Sequence, residues 1–179
     1  MKKVIPLIFI FMLTSCTVKS PCKTPNELLL SIKNYSCKMQ ISSFSNKNST
    51  EYLALQSYSS LGKYSMEFLD NENLKISYEN SVLNITSNLF DRTLEEKDYP
   101  ELNKNPLFLS YFINTYFNLE NSDNVKTTAN SIYMTLPDSN DIIYSAELTF
   151  NNDLPHTLTY FDKNGNIKVN IIYNEFTFI

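Results

Sequence analysis

The 179-residue sequence carries 15 Lys and Arg against 19 Asp and Glu, a net charge of −4 with a pI near 5.0. That balance argues against nucleic-acid binding, which needs a concentrated basic face, and offers no polybasic patch to hold a membrane surface. With 42% hydrophobic and 13% aromatic residues, including 12 Tyr and 12 Phe, one sizeable core is within reach.

Lys2 and Lys3 form a basic n-region, and Val4 to Met12 an apolar h-region. Leu13-Thr14-Ser15-Cys16 then matches a bacterial lipobox, in which small residues admit the signal peptidase and the cysteine thiol receives diacylglycerol. The apolar run is too short to span a bilayer core of ~30 Å as a helix. Residues 1–15 therefore read as a signal peptide and Cys16 as the lipidation site. The mature chain, Cys16 to Ile179, is expected outside the cytoplasmic membrane and tethered to it. Removing the 15 residues before Cys16 leaves 164, a normal size for one domain. The excess of Asn, Lys, Ile and Tyr points to an AT-rich genome and a low-GC Gram-positive source.

Residues 16–24 read as a tether, and residues 25–179 as a single domain. Thr24-Pro25-Asn26-Glu27 has the form of a capping box with Pro at the first helical position, opening a short helix through Leu28, Leu29 and Ile32. Tyr35, Cys37, Met39 and Ile41 then alternate with polar residues, the period of a strand. Glu51–Ser59 predicts a second strand, with Leu53 and Leu55 on one face and Tyr52, Ala54 and Tyr58 on the other. Further strands follow at Tyr64–Phe68, Leu74–Tyr78, Val82–Thr86 and Leu89–Leu94, separated by short turns in which Asn replaces the scarce Gly. This spacing indicates an up-and-down meander. Glu95 to Lys104 reads as a charged loop.

The one long apolar run of the mature chain comes next. Phe108, Phe112, Tyr116 and Leu119 follow helical spacing, and Leu109, Ile113 and Phe117 form a second series beside them. A helix from Pro106 to Leu119, capped by Asn105, is predicted. Well over half its circumference is apolar, so other elements must wrap it. After a loop at 120–124, strands are predicted at Val125–Leu136, Ile142–Phe150, His156–Phe161 and Ile167–Tyr173. Asn164-Gly165 marks the last hairpin. Asn174 to Ile179 stays β-prone and is expected to be ordered. The fold class is mainly β within α+β: a curved antiparallel sheet wrapped around a central apolar helix.

Little in the chain can carry chemistry. His156 is the only histidine and reads as a surface imidazole. One His, the two remaining Cys and scattered acids give no zinc-ligand spacing. No Gly-x-Ser-x-Gly elbow is present, and two Gly leave no phosphate-cradling loop. Neither catalytic residues, nor a cofactor, nor a metal are expected. Once Cys16 is lipidated, Cys22 and Cys37 remain. They can pair with each other; Cys22 can bond Cys22 of a second copy while Cys37 stays buried; or both can stay free. Cys22 is thus the candidate for an intermolecular disulfide, and with the apolar C-terminal strand it suggests a homodimer by strand exchange.

The lipobox, the stretches Tyr52-Leu-Ala-Leu-Gln-Ser-Tyr-Ser and Lys63-Tyr-Ser-Met-Glu67-Phe, and the closing Asp162-Lys-Asn-Gly-Asn-Ile with Asn170-Ile-Ile-Tyr-Asn-Glu-Phe176 resemble clostridial germination lipoproteins of the GerS type. Those in turn are similar to the LolA/LolB lipoprotein carriers, which implies a half-barrel sheet around helices. Ser65-Met66 stands where relatives of that type carry Arg before the Glu of the third strand. The resemblance implies a non-enzymatic role in the space around the forespore. The partner it implies is the spore-cortex amidase CwlD, a zinc N-acetylmuramoyl-L-alanine amidase that begins formation of muramic-δ-lactam. The alternative it implies is a carrier whose curved sheet holds an acyl chain. Tyr52, Tyr58 and Tyr64 are interface candidates if their face points outward.

Overall fold

Apolar and polar side chains alternate over β1 (Asn34–Phe44), and buried positions alternate with half-buried ones along most of it. The computed structural model describes residues 23–45, 48–70, 74–87, 92–97, 105–137 and 142–179. Five strands follow β1 as a meander: β2 (Ser49–Ser59), β3 (Lys63–Phe68), β4 (Lys75–Glu79), β5 (Val82–Ser87) and β6 (Arg92–Lys97). A second meander comprises β7 (Val125–Thr127), β8 (Ser131–Thr135), β9 (Ser145–Asn151), β10 (Leu154–Phe161) and β11 (Ile167–Phe178). β11 pairs antiparallel with β1, so the two meanders join into one curved, unclosed 11-stranded sheet with β6 and β7 at its edges.

Asparagine does much of the turning. The β4–β5 hairpin bends at Asn80 and Ser81 (φ 52° and 62°), and the β9–β10 hairpin at Asn152 and Asp153 (φ 50° and 62°). Both are two-residue loops with positive φ at each central residue, which Asn and Asp tolerate better than other side chains. In the β10–β11 turn, Asp162 Oδ1 accepts from the backbone N–H groups of Asn164 and Asn166, each at 2.9 Å. Gly165 supplies the left-handed step there (φ 80°).

Helix α1 (Pro25–Ser31) has the expected capping box: Glu27 N donates to Thr24 Oγ1 at 3.3 Å and Thr24 N donates to Glu27 Oε2 at 2.8 Å. It buries Leu28 and Leu29, and Ile32 follows them into the core. Helix α2 (Leu109–Leu119) starts three residues later than the sequence spacing predicts. Asn105 is not its cap. Its Oδ1 accepts instead from Leu107 N (3.0 Å), closing a local turn, and Phe108 N–H donates to Asn105 O at 3.0 Å. Phe108, Leu109 and Phe112 are fully buried, and Ile113 and Tyr116 nearly so. Asn114 and Asn118, one turn apart, form its exposed stripe. The rest of the helix is covered, as its breadth of apolar surface requires.

Two further expectations need correction. Val125–Leu136 is not one strand but the β7–β8 hairpin, because Thr128 Oγ1 accepts from the N–H groups of Asn130 and Ser131 (3.3 and 3.0 Å) and turns the chain. Glu95 and Glu96 belong to edge strand β6, where they stay exposed, and not to a loop. The C-terminal segment is ordered, as expected: β11 lies between β1 and β10 and is paired on both sides. An exchanged strand would therefore have to come out of the middle of the sheet.

Candidate functional site: a hollow on the inner face of the sheet

Cross-strand register decides which side chains share the helix-bearing face. Cys37 lies opposite Gln56, Met39 opposite Ala54, Ile41 opposite Tyr52 and Ser43 opposite Thr50. On the other side of β1, Ile41 faces Ile171 and Ser43 faces Val169. The inner face therefore carries Tyr52, Ala54, Gln56 and Tyr58 of β2, while Leu53 and Leu55 point outward and remain exposed. Tyr58 and Tyr64 consequently do not present an outer surface. They join Tyr35 and Tyr78 in an inner-face row, with ring centroids 5.6 Å (Tyr35–Tyr58), 5.0 Å (Tyr58–Tyr64) and 5.9 Å (Tyr64–Tyr78) apart.

Gln56 fixes the entry of α2 above this face. Its Oε1 accepts from the Tyr35 hydroxyl (2.5 Å) and from Leu109 N (3.4 Å), and its Nε2 donates to Leu107 O (3.0 Å). Tyr160 adds a hydroxyl donated to Pro106 O at 2.7 Å. The Phe108 ring packs edge-on against Tyr64, with centroids 5.7 Å apart. From there α2 runs toward the β7 edge, where Tyr116 lies beside the Thr127 side chain. The helix therefore leaves the far ends of β1, β2 and β3 uncovered.

A hollow of about 570 Å³ occupies that end. Ile41, Phe68, Leu74, Leu107 and Val169 line it with apolar surface, and Tyr52, 40% exposed, stands edge-on to Phe68 at 6.0 Å. Asp70 stands at its rim, while the Glu51 side chain, on the same side of β2 as Leu53, points to the outer face with Gln40. The Asp70 carboxylate accepts from Leu53 N, and Leu69 N donates to Leu53 O at 2.8 Å, so the segment after β3 is tied to β2. Glu51 Oε2 accepts from Gln40 Nε2 at 3.4 Å. Apolar walls with a few placed polar groups are what binding hollows have in common.

The residues singled out in the sequence fall elsewhere. Cys16 and Cys22 lie outside the described residues. Cys37 is a free, buried thiol, pushed up to about 12 by burial and so kept un-ionised. His156 is exposed at the irregularity where β10 shifts register against β9. Burial holds the hydroxyls of Tyr35, Tyr160 and Tyr173 well above the ordinary tyrosine range, so all three act as neutral core groups. Among the described residues, no three His, Cys, Asp or Glu side chains converge as a metal site would require. Sequence reasoning missed Gln56 and the hollow. A polar Gln between Ala54 and Tyr58 on one strand face was the available signal.

Residues 1–178 match the model of a protein family described as Sporulation protein YdcC-like. No curated protein sequence matches the chain. Among solved structures, an uncharacterized conserved protein from Thermus thermophilus is similar at a TM-score of 0.55 and 12% identity, over 86% of each chain. A chain in the structure of the CwlD amidase from Clostridioides difficile in complex with the GerS lipoprotein is similar at a TM-score of 0.53 and 20% identity. That match covers 90% of this chain and 99% of the other. The LolA superfamily protein NE2245 from Nitrosomonas europaea aligns at a TM-score of 0.40 and 8% identity, over 88% of this chain and 94% of the other. At these identities the first two likenesses are likenesses of fold.

Proposed function

The chain belongs to the family of YdcC-like sporulation proteins, and from that membership we propose that it is a non-enzymatic lipoprotein that binds and activates the cortex amidase CwlD. One observation carries the reading: nearly the whole chain shares its fold with a chain of the amidase–GerS complex. The proposed place of action is the space around the forespore, with the protein held to the membrane through a lipid on Cys16. The proposed consequence is formation of muramic-δ-lactam in cortex peptidoglycan. Activation then needs no chemistry from this chain. It needs only tighter binding to the active conformation of the amidase than to the inactive one.

The inner-face hollow supports a second reading, carriage of an acyl chain. Its apolar lining suits one, but the adjoining interior is filled by Phe108, Leu109 and Phe112, none of which leaves exposed surface. The helix plugs the sheet where a carrier would keep it open. Mixing the purified full-length chain, in mild detergent, with purified amidase separates the readings. Light scattering should show a species with the combined mass. Two unshifted peaks, with a lipid co-purifying in this chain, would favour the carrier.

A further inference from the structure

Exposed apolar side chains gather at the end of the sheet where β1 begins. Leu61, 83% exposed, tips the β2–β3 turn, and Phe178 and Ile179, 44% and 75% exposed, lie where β11 ends. Asn34 holds the two sides together: its carbonyl accepts from Ile179 N at 3.2 Å, and its Oδ1 accepts from Ser60 N at 3.0 Å. Helix α1, which delivers the chain to β1 at this same end, adds an exposed Leu30. Resting on the lipid anchor of the functional reading above, we propose that this end is the protein's membrane seat: its apolar tips enter the interfacial layer of the bilayer that holds the anchor.

The tether decides the occupant. Seven residues, Cys16 to Cys22, precede Lys23, where the described chain begins. A chain of that length reaches at most ~25 Å. The bilayer is therefore always within reach of the α1 end. The opposite end, where Ile142 is also exposed, lies a strand's length away, ~35 Å along the 11 residues of β1. Charge neither drives nor opposes the contact: Lys23, Lys33 and Lys63 stand at this end against Glu27, Glu79 and Glu175, and Lys63 pairs with Glu79. The seat is thus apolar, and a neutral bilayer should serve as well as an anionic one. Its part is orientation, since the acyl chains of the anchor already supply retention. Seated this way, the domain turns the hollow beside the α2 entry away from the bilayer.

The test places an environment-sensitive fluorophore on the lipidated full chain in phosphatidylcholine vesicles that contain spin-labelled lipid as quencher. Leu61→Cys and Ile179→Cys report on the seat, and Ile142→Cys on the opposite end. Each is made with Cys22→Ser, while the buried Cys37 thiol escapes labelling. The labels at 61 and 179 should be quenched several-fold more than the label at 142, and replacing part of the lipid with phosphatidylglycerol should leave that ratio unchanged. Vesicle-bound protein with equal quenching at all three positions would overturn the seat alone and leave the anchor and the amidase reading standing. Protein that fails to float with the vesicles would remove the lipid anchor and the seat together. A label at 61 that the lipid does not quench, but that shifts to the blue when purified amidase is added, would assign this end to the protein partner and overturn the proposal.

Discussion

At the scale of single residues, two buried polar side chains organise more of the molecule than any ionisable cluster does. Gln56 joins β1, β2 and the entry of α2 through Tyr35, Leu107 and Leu109. Gln56→Leu should cost about 1–3 kcal/mol for each group it orphans, chiefly the Leu107 carbonyl and the Tyr35 hydroxyl. Urea titration should show a lower midpoint at unchanged slope; an unchanged midpoint would mean these bonds do not hold the helix. Asp162 organises the last hairpin. Hydrogen bonds from the Asn166 side chain and backbone, then from Asn164 N–H and Lys168, hold its carboxyl down at about 2. Because the folded value lies below the unfolded one of ~3.9, its contribution is full above about pH 4 and is lost as pH falls toward about 2. Asp162→Asn should therefore narrow the gap between the urea midpoints at pH 7 and pH 3 relative to wild type. An identical gap would show that the turn does not feel this charge. Gln56 was hard to read beforehand for a physical reason. Period two separates the faces of a strand but not which face is inside, and β2 has Leu53 and Leu55 on one face against Tyr52, Ala54 and Gln56 on the other. The larger aliphatic pair turned out to be the outer one, because the helix entry needs the polar Gln56 within the core.

Among the elements, α2 is the one the sheet is folded about. Its existence and its apolar faces were legible from two overlapping helical series, while the burial of Ser110 and Thr115, which leaves only Asn114 and Asn118 of the helix exposed, was not. Its start was not. Asn-Pro opens a helix and closes a local turn with the same side-chain chemistry, and here Asn105 spends its oxygen on the turn. The β7–β8 break was missed for a similar reason: Thr128, Ala129 and Asn130 include no Gly or Pro to mark a turn that hydrogen bonds to the Thr128 hydroxyl make. Strand alternation in β1 and the α1 capping box, by contrast, had no competing use for their residues. Phe112 lies at the fully buried centre of α2. Phe112→Ala should cost about 3–5 kcal/mol, and Phe112→Asp should unfold the domain, since an unpaired buried charge is not accommodated. Circular dichroism and thermal melts distinguish the outcomes; a folded Phe112→Asp protein would contradict enclosure of the helix.

For the whole molecule, two meanders meet at β1 and β11, so the chain's last long strand sits in the centre and its charged and short strands, β6 and β7, take the edges. A very short edge and a charged one both resist further strand pairing. Among the described residues no helix is long and apolar enough to cross a membrane. Attachment is instead proposed at Cys16, and Cys16→Ala should leave the protein either uncleaved, with its signal peptide still attached, or released to the soluble fraction. Unchanged membrane retention with an unmodified N-terminus would contradict lipidation. The central claim is that this domain supplies binding and its partner supplies chemistry. The most direct test follows muramoyl-amide hydrolysis by a fixed amount of purified CwlD amidase as the full-length chain is added in mild detergent. Turnover should rise and saturate at a fixed stoichiometric ratio, with no hydrolysis by this chain alone. Amidase turnover that stays flat across the titration, or hydrolysis by this chain without the amidase, would contradict the account.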